Sequence, residues 1–119
     1  MKKRNQAAAS FGIIGLGRFG MALATTLADA GKEVIVIDKD ESKVKVMRQY
    51  TDYAFVADNL SMETLKEIGM QNCDVAVVCI GEKLDISILT TMSLIELGVP
   101  RVISKALSAE QGAVLSKLG

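Results

Sequence analysis

The sequence predicts an α/β domain wound around a parallel sheet, and three observations predict it. Short, nearly continuous apolar runs recur at Phe11–Gly15, Glu33–Asp38, Tyr53–Ala57, Cys73–Gly81 and Arg101–Ala106. Strands buried on both faces read this way. Between these runs, apolar residues recur at helical spacing, so helices cover the sheet. The first strand is joined to the first helix by a turn carrying three glycines in six positions, Gly15 to Gly20. Right-handed crossovers then give the strand order 3-2-1-4-5, one strand short of the six-stranded doubly wound form.

The elements follow in order. Residues 1–10, MKKRNQAAAS, start basic and lack a long apolar core; they form a flexible lead-in rather than a signal peptide. The domain occupies residues 11–119. Strand one, Phe11–Gly15, leads through the glycine turn into a helix over Arg18–Ala30. Its inward stripe is Phe19, Leu23 and Leu27, flanked by Ala24 and Ala28, and Gly31 stops it. The β-branched run Glu33–Asp38 is strand two. A second helix over Asp40–Tyr50 is capped by Asp40 or Ser42 and turns Val44 and Met47 inward. Strand three, Tyr53–Ala57, precedes a helix over Ser61–Gly69 that opens with part of a capping box, Ser61 and Thr64. Strand four is Cys73–Gly81. The helix over Asp85–Gly98 is apolar on more than one face through Ile86, Ile88, Leu89, Met92, Leu94, Ile95 and Leu97, which suits burial against a neighbouring molecule as well as against the sheet. Strand five and a final helix over Ser108–Gly119 complete the reading.

Composition removes several function classes. At 119 residues the chain is one domain, and with half of it hydrophobic it can bury a core. Its 14 basic and 14 acidic residues give zero formal net charge, against the basic surface that nucleic-acid binding requires. There is no histidine, which removes histidine as general base, triad member or metal ligand. On one strand Cys73 and Cys79 would share a face about 20 Å apart at about 3.3 Å per residue, too far to pair. They read as buried thiols of a reducing compartment, and with no CxxC a zinc site has no support. No apolar run reaches the roughly 18 residues that span a membrane, and the expected location is cytoplasmic.

The turn Gly15-Leu16-Gly17-Arg18-Phe19-Gly20 is a GxGxxG loop in its proper setting, with a strand before it and a helix after it. The first glycine permits a tight turn, the second lets a phosphate approach bare backbone, and the third lets the helix pack close to the sheet. The helix start adds free N–H groups and a dipole that favour an anion. Asp38 ends strand two, 23 positions after Gly15. A carboxylate there accepts hydrogen bonds from both ribose hydroxyls of an adenosine and repels a 2′-phosphate, which disfavours NADP. Met21 and Ala22 stand where a P-loop needs lysine and serine or threonine, so ATP hydrolysis of that kind is not expected. Arg18 is placed for charge-assisted bonds to phosphate, in its own subunit or a neighbour's. Phe19 and Lys39 adjoin these residues. The carboxyl ends of strands three, four and five add Asp58 and Asn59, Ile80 and Gly81, and Lys105. For Asp58, Asn59 and Lys105 an ordinary loop role and ligand contact are equally open.

Together, GIIGLGRFG, VIVIDKDESKV, VADNLSMETLKEIGM, VVCIGEKLDISILTTMSLIELGVPRVISKA and VLSKLG resemble the KTN (RCK N-terminal) domain of bacterial potassium-transport regulators of the Ktr and Trk type, most of all the Ktr-type uptake regulators. The resemblance runs from about residue 11 to the end. It implies a regulator rather than an enzyme: a cytosolic Rossmann-like domain that binds ATP, ADP or NAD(H) and gates a membrane potassium channel or transporter. It implies dimers and, with a C-terminal lobe, rings beneath the membrane partner. By motif position Gly15, Gly17, Arg18 and Gly20 would hold phosphates, Asp38 the ribose, and Asp58 and Asn59 would lie near the adenine. Lys105 would face the phosphates, and Arg18 would reach the γ-phosphate in the partner's site. Family members continue past the position of Gly119 into a sixth strand, a crossover helix and a C-terminal ligand lobe, so the chain is expected to be an N-terminal lobe. The rival reading is the cofactor half of an NAD-dependent dehydrogenase, against which stand the missing histidines and substrate domain. A third is a dimerisation scaffold that binds no nucleotide.

Overall fold

The computed structural model describes residues 9–80 and 84–104. Five parallel strands form one sheet in the order β3-β2-β1-β4-β5: β1 Ser10–Ile14, β2 Glu33–Asp38, β3 Ala54–Val56, β4 Val75–Val78 and β5 Arg101–Ser104. The connecting helices are α1 Arg18–Asp29, α2 Glu41–Met47, α3 Met62–Glu67 and α4 Leu84–Glu96, with a 3-10 turn at Met70–Asn72. This is the Rossmann-like doubly wound order expected from the sequence. The sequence reading's final helix and Lys105 lie outside the described residues.

The apolar strand runs are continuous because successive residues enter two different cores. Ile13, Val34, Val36 and Val77 turn to one face, where Ala24 of α1 and Val44 and Met47 of α2 cover them. Ile14, Ile37, Ala76 and Val78 turn to the other, against Leu65 of α3, Met70 and Leu94 of α4. Burying a valine or isoleucine side chain contributes about 1.5–3 kcal/mol, and seven of these eight strand residues are fully sealed from solvent or nearly so. The central strand β1 is held on both sides, with Ile14 opposite Ile37 of β2 and Val78 of β4. That pairing aligns the carboxyl ends of β1, β2 and β4 along one edge of the sheet.

Local chemistry sets the helix ends. Asp40 caps α2, its Oδ1 accepting from the Ser42 N–H at 2.9 Å and the Ser42 hydroxyl at 2.6 Å. Those bonds, led by the Ser42 hydroxyl, hold the Asp40 carboxyl below its ordinary value. Ser61 caps α3 by accepting from Thr64 N–H at 3.2 Å. Gly31, Gly69 and Gly98, which follow α1, α3 and α4, adopt positive φ.

Three expectations are corrected. Strand four is shorter than Cys73–Gly81, because the 3-10 turn runs up to Asn72 and pairing starts at Val75. The alternation that would have put both cysteines on one face is therefore broken. Both are buried and neither forms a disulfide, but Cys73 belongs to the α3/α4 core and Cys79 to the α1/α2 core. Phe19 is not part of the inward stripe of α1; it is 47% exposed, while Gly20 and Ala24 make the close contact.

Candidate functional site

The three loop glycines answer to three different constraints. Gly15 has φ +100, and a Cβ there would stand 3.0 Å from the backbone carbonyl of Cys79 and 3.3 Å from Ile80 N. Both the turn and the approach to the end of β4 demand glycine. A Cβ on Gly20 would collide with the Gly15 carbonyl oxygen, so the start of α1 sits directly on the end of β1. Gly17 has nothing within 4 Å of its Cβ position. Its extended backbone, φ −69 and ψ −168, begins α1 as the N-cap without a side-chain cap. The helix start is thus bare and faces open space, the arrangement that suits an anion.

Asp38 closes one side of this loop. Its Oδ2 accepts from Leu16 N–H at 2.6 Å and its Oδ1 from Asp40 N–H at 2.8 Å. One residue earlier, Gly15 N–H donates to the Ile37 carbonyl at 2.9 Å. Leu16 itself is buried in the core beneath the loop, 1% exposed. An ionised carboxylate offers about four acceptor positions, so two remain on Asp38 for a ligand. Asp38 ends β2, as expected from the sequence; its loop bond, which joins residues 22 positions apart, was not.

Around these residues stand Arg18 and Phe19, exposed at the start of α1, and Lys39, exposed just after Asp38. Ile80 follows β4 beside Gly15. Its carbonyl accepts from the Ser87 hydroxyl of α4 at 3.1 Å. The Thr91 hydroxyl lies 2.7 Å from the Ser87 carbonyl and 2.7 Å from Ser104 Oγ, extending a line of hydroxyl groups from the end of β4 to the end of β5. Sequence reasoning also missed this line; the signal was the spacing of Ser87, Thr90, Thr91 and Leu94 along one helix face. Asp58 and Asn59 lie on an exposed loop after β3. Asn59 Oδ1 accepts from Ser61 N–H at 3.2 Å and from the Thr64 hydroxyl at 2.8 Å, shaping the entry to α3. Gly81 and Lys105 fall outside the described residues. A shallow cleft lined by Lys32, Arg48, Tyr50, Thr51 and Tyr53 lies at the opposite edge of the sheet, beside the start of β2.

The sheet order and the loop specify a fold that many proteins share, so the decisive observation is the family comparison. The TrkA-N domain family matches residues 11–119. The chain belongs to the TrkA-N family. The Ktr system potassium uptake protein C of Bacillus subtilis (strain 168) is 41% identical over 109 residues, covering 92% of this chain and 49% of that protein. This TrkA-N chain therefore spans about half the length of the curated relatives it matches. The TrkA-N domain of the inner membrane protein ybaL from Escherichia coli superposes with a TM-score of 0.81 at 16% identity, over 97% of this chain and 85% of that one. The NAD(P)-binding domain of an exopolyphosphatase-related protein from Archaeoglobus fulgidus gives 0.78 at 18% identity, over 93% and 83%. At those identities the two structures support the Rossmann-like fold alone. Among the described residues of this TrkA-N domain, no helix is long and apolar enough to cross a membrane.

Proposed function

We propose that this chain is the nucleotide-sensing domain of a regulator that gates a potassium channel or transporter from the cytoplasmic side of the membrane. The observation that carries the reading is the contrast within the loop: Gly15 and Gly20 are filled in by their neighbours, whereas Gly17 opens onto unoccupied space at a bare helix start. Asp38 stands beside it with two acceptor positions to spare for ribose hydroxyls. The ligand is ATP, ADP or NAD(H); the carboxylate disfavours the 2′-phosphate of NADP. Phosphates lie over Gly15, Gly17, Arg18 and Gly20 and the adenine lies toward Asp58 and Asn59, with Phe19, Lys39 and Ile80 completing the surroundings.

The partner reading is supported by the potassium uptake protein that the chain resembles. Gating requires a ligand whose affinity differs between two conformations. It also requires a surface through which the domain acts. The helix α4 supplies one. Its inward face is Ser87, Thr90, Thr91 and Leu94, while Leu84, Ile86, Leu89, Met92 and Ile95 are turned out, Leu89 by 62%. Such an apolar face on the outside of the domain marks an interface, and it suits a homodimer that a C-terminal lobe extends into a ring. The role is regulatory rather than enzymatic.

Thermal unfolding with ATP, ADP, NAD+, NADH and NADP+ tests the reading. A ligand at 100 times its Kd stabilises by about 2.7 kcal/mol, several degrees for a domain of this size. Shifts with ATP and ADP support an energy-charge sensor, and shifts confined to NAD+ or NADH support a redox sensor. No shift with any nucleotide contradicts the proposal.

A further inference from the structure

The Asp38 carboxylate is already engaged before any ligand is present. Its two oxygens each take one backbone N–H, from Leu16 in the glycine loop and from Asp40 at the cap of α2. With the Gly15 N–H on the Ile37 carbonyl, two consecutive loop amides are tied to the end of β2. The Leu16 bond, at 2.6 Å to an ionised acceptor, is of the stronger charge-assisted kind. The buried Leu16 side chain anchors the same residue from below. Leu16 directly precedes Gly17, so holding both its amide and its buried side chain restricts how far the bare helix start can move.

We infer that Asp38 is a positioning residue that sets the glycine loop in advance, so that it governs binding of a phosphate group as well as of a sugar. This rests on the nucleotide-binding reading for its effect on ligands, but not for its effect on the loop. The chemistry is specific to a carboxylate. Asparagine has one acceptor oxygen, and its NH2 group would face whichever N–H the oxygen did not serve. Removal of the side chain leaves the Leu16 amide without its partner, at the cost of a charged hydrogen bond.

Two measurements on the chain and its Asp38→Ala and Asp38→Asn variants test the inference. The first is amide hydrogen exchange in the ligand-free protein. The Leu16 amide is expected to exchange about tenfold faster or more in the Ala variant, the equivalent of losing one such bond. The Ala57 amide is the internal control, because it donates at 3.2 Å to the backbone carbonyl of Asp38 and not to its side chain; its exchange stays as in the parent chain. The second is calorimetric titration with pyrophosphate, which has no sugar, and with ADP. Both affinities are expected to fall together. Unchanged Leu16 exchange in both variants overturns the inference, as does a loss of ADP affinity with pyrophosphate affinity preserved, which assigns Asp38 to the ribose alone. If the parent chain binds neither probe, the functional reading and the phosphate effect both fail, while Leu16 exchange still decides whether Asp38 sets the loop. The near-isosteric Asn variant supplies the answer should the Ala variant not fold.

Discussion

Among the described glycines, Gly20 has the least room for a side chain. A methyl group there meets the Gly15 carbonyl oxygen, which is backbone and has nowhere to go. Overpacking of this kind costs about 1–3 kcal/mol, so Gly20→Ala is expected to lower the midpoint of thermal unfolding by several degrees. Arg18 makes a different case: it is exposed, and its removal is expected to leave stability unchanged. If its guanidinium meets a terminal phosphate, Arg18→Ala lowers ATP affinity more than ADP affinity, and equal losses by calorimetry contradict that role. The residue types and spacings of this site were legible in the sequence, since GxGxxG and an acidic strand end are short-range patterns. The bonds were not. Asp38 and Leu16 meet only once β1 and β2 are in register, and the bonds that Asn59 accepts from Ser61 N–H and the Thr64 hydroxyl form only once the chain turns into α3.

Among the elements, α2 owes its start to one side chain. The Asp40 carboxyl is held below the ordinary aspartate value of about 3.9 by the Ser42 hydroxyl and N–H. A carboxyl depressed in the folded state contributes stability above its unfolded value and loses it as pH falls through the folded one. The cap is thus complete at neutral pH and weakens below about pH 4. Asp40→Asn, which keeps an acceptor oxygen but no charge, is expected to remove this part of the acid sensitivity while costing little at neutral pH; urea titrations of both proteins between about pH 3 and 7 check it. Helix α4 shows where reading by hydropathy reaches its limit. Its apolar residues pointed to more than one buried face, but the face that meets the sheet carries Ser87, Thr90 and Thr91; the Ser87 hydroxyl donates to the Ile80 carbonyl, and the Thr91 hydroxyl donates to the Ser87 carbonyl and meets the Ser104 hydroxyl. Hydropathy alone does not distinguish a hydroxyl that finds a partner inside from one that faces water. Strand four was over-extended for a related reason: Cys73 is as apolar as a strand residue, yet it ends a 3-10 turn.

For the whole molecule, the order of the five strands followed from the alternation of apolar runs with helices and the handedness of crossovers, and the sheet has that order. What the sequence did not separate was a helix buried twice from one buried once. Among the described residues the outer face of α4 is left uncovered, with Leu89 its most exposed apolar residue. If that face joins two copies, Leu89→Lys shifts light scattering from dimer to monomer with the fold retained; a chain that is monomeric at high concentration before any substitution contradicts the interface. The central claim, that the open glycine loop receives a nucleotide, is tested most directly at Gly17. Its Cβ position is empty and its extended backbone accepts other residues, so Gly17→Val should fold with nearly the parent stability while filling the space a phosphate would take. Calorimetric titration of ATP, ADP and NAD+ into both proteins is the measurement to make. The account predicts binding to the parent chain that the valine abolishes or weakens by at least about tenfold, a difference of about 1.4 kcal/mol; equal affinities in two folded proteins would place the ligand elsewhere.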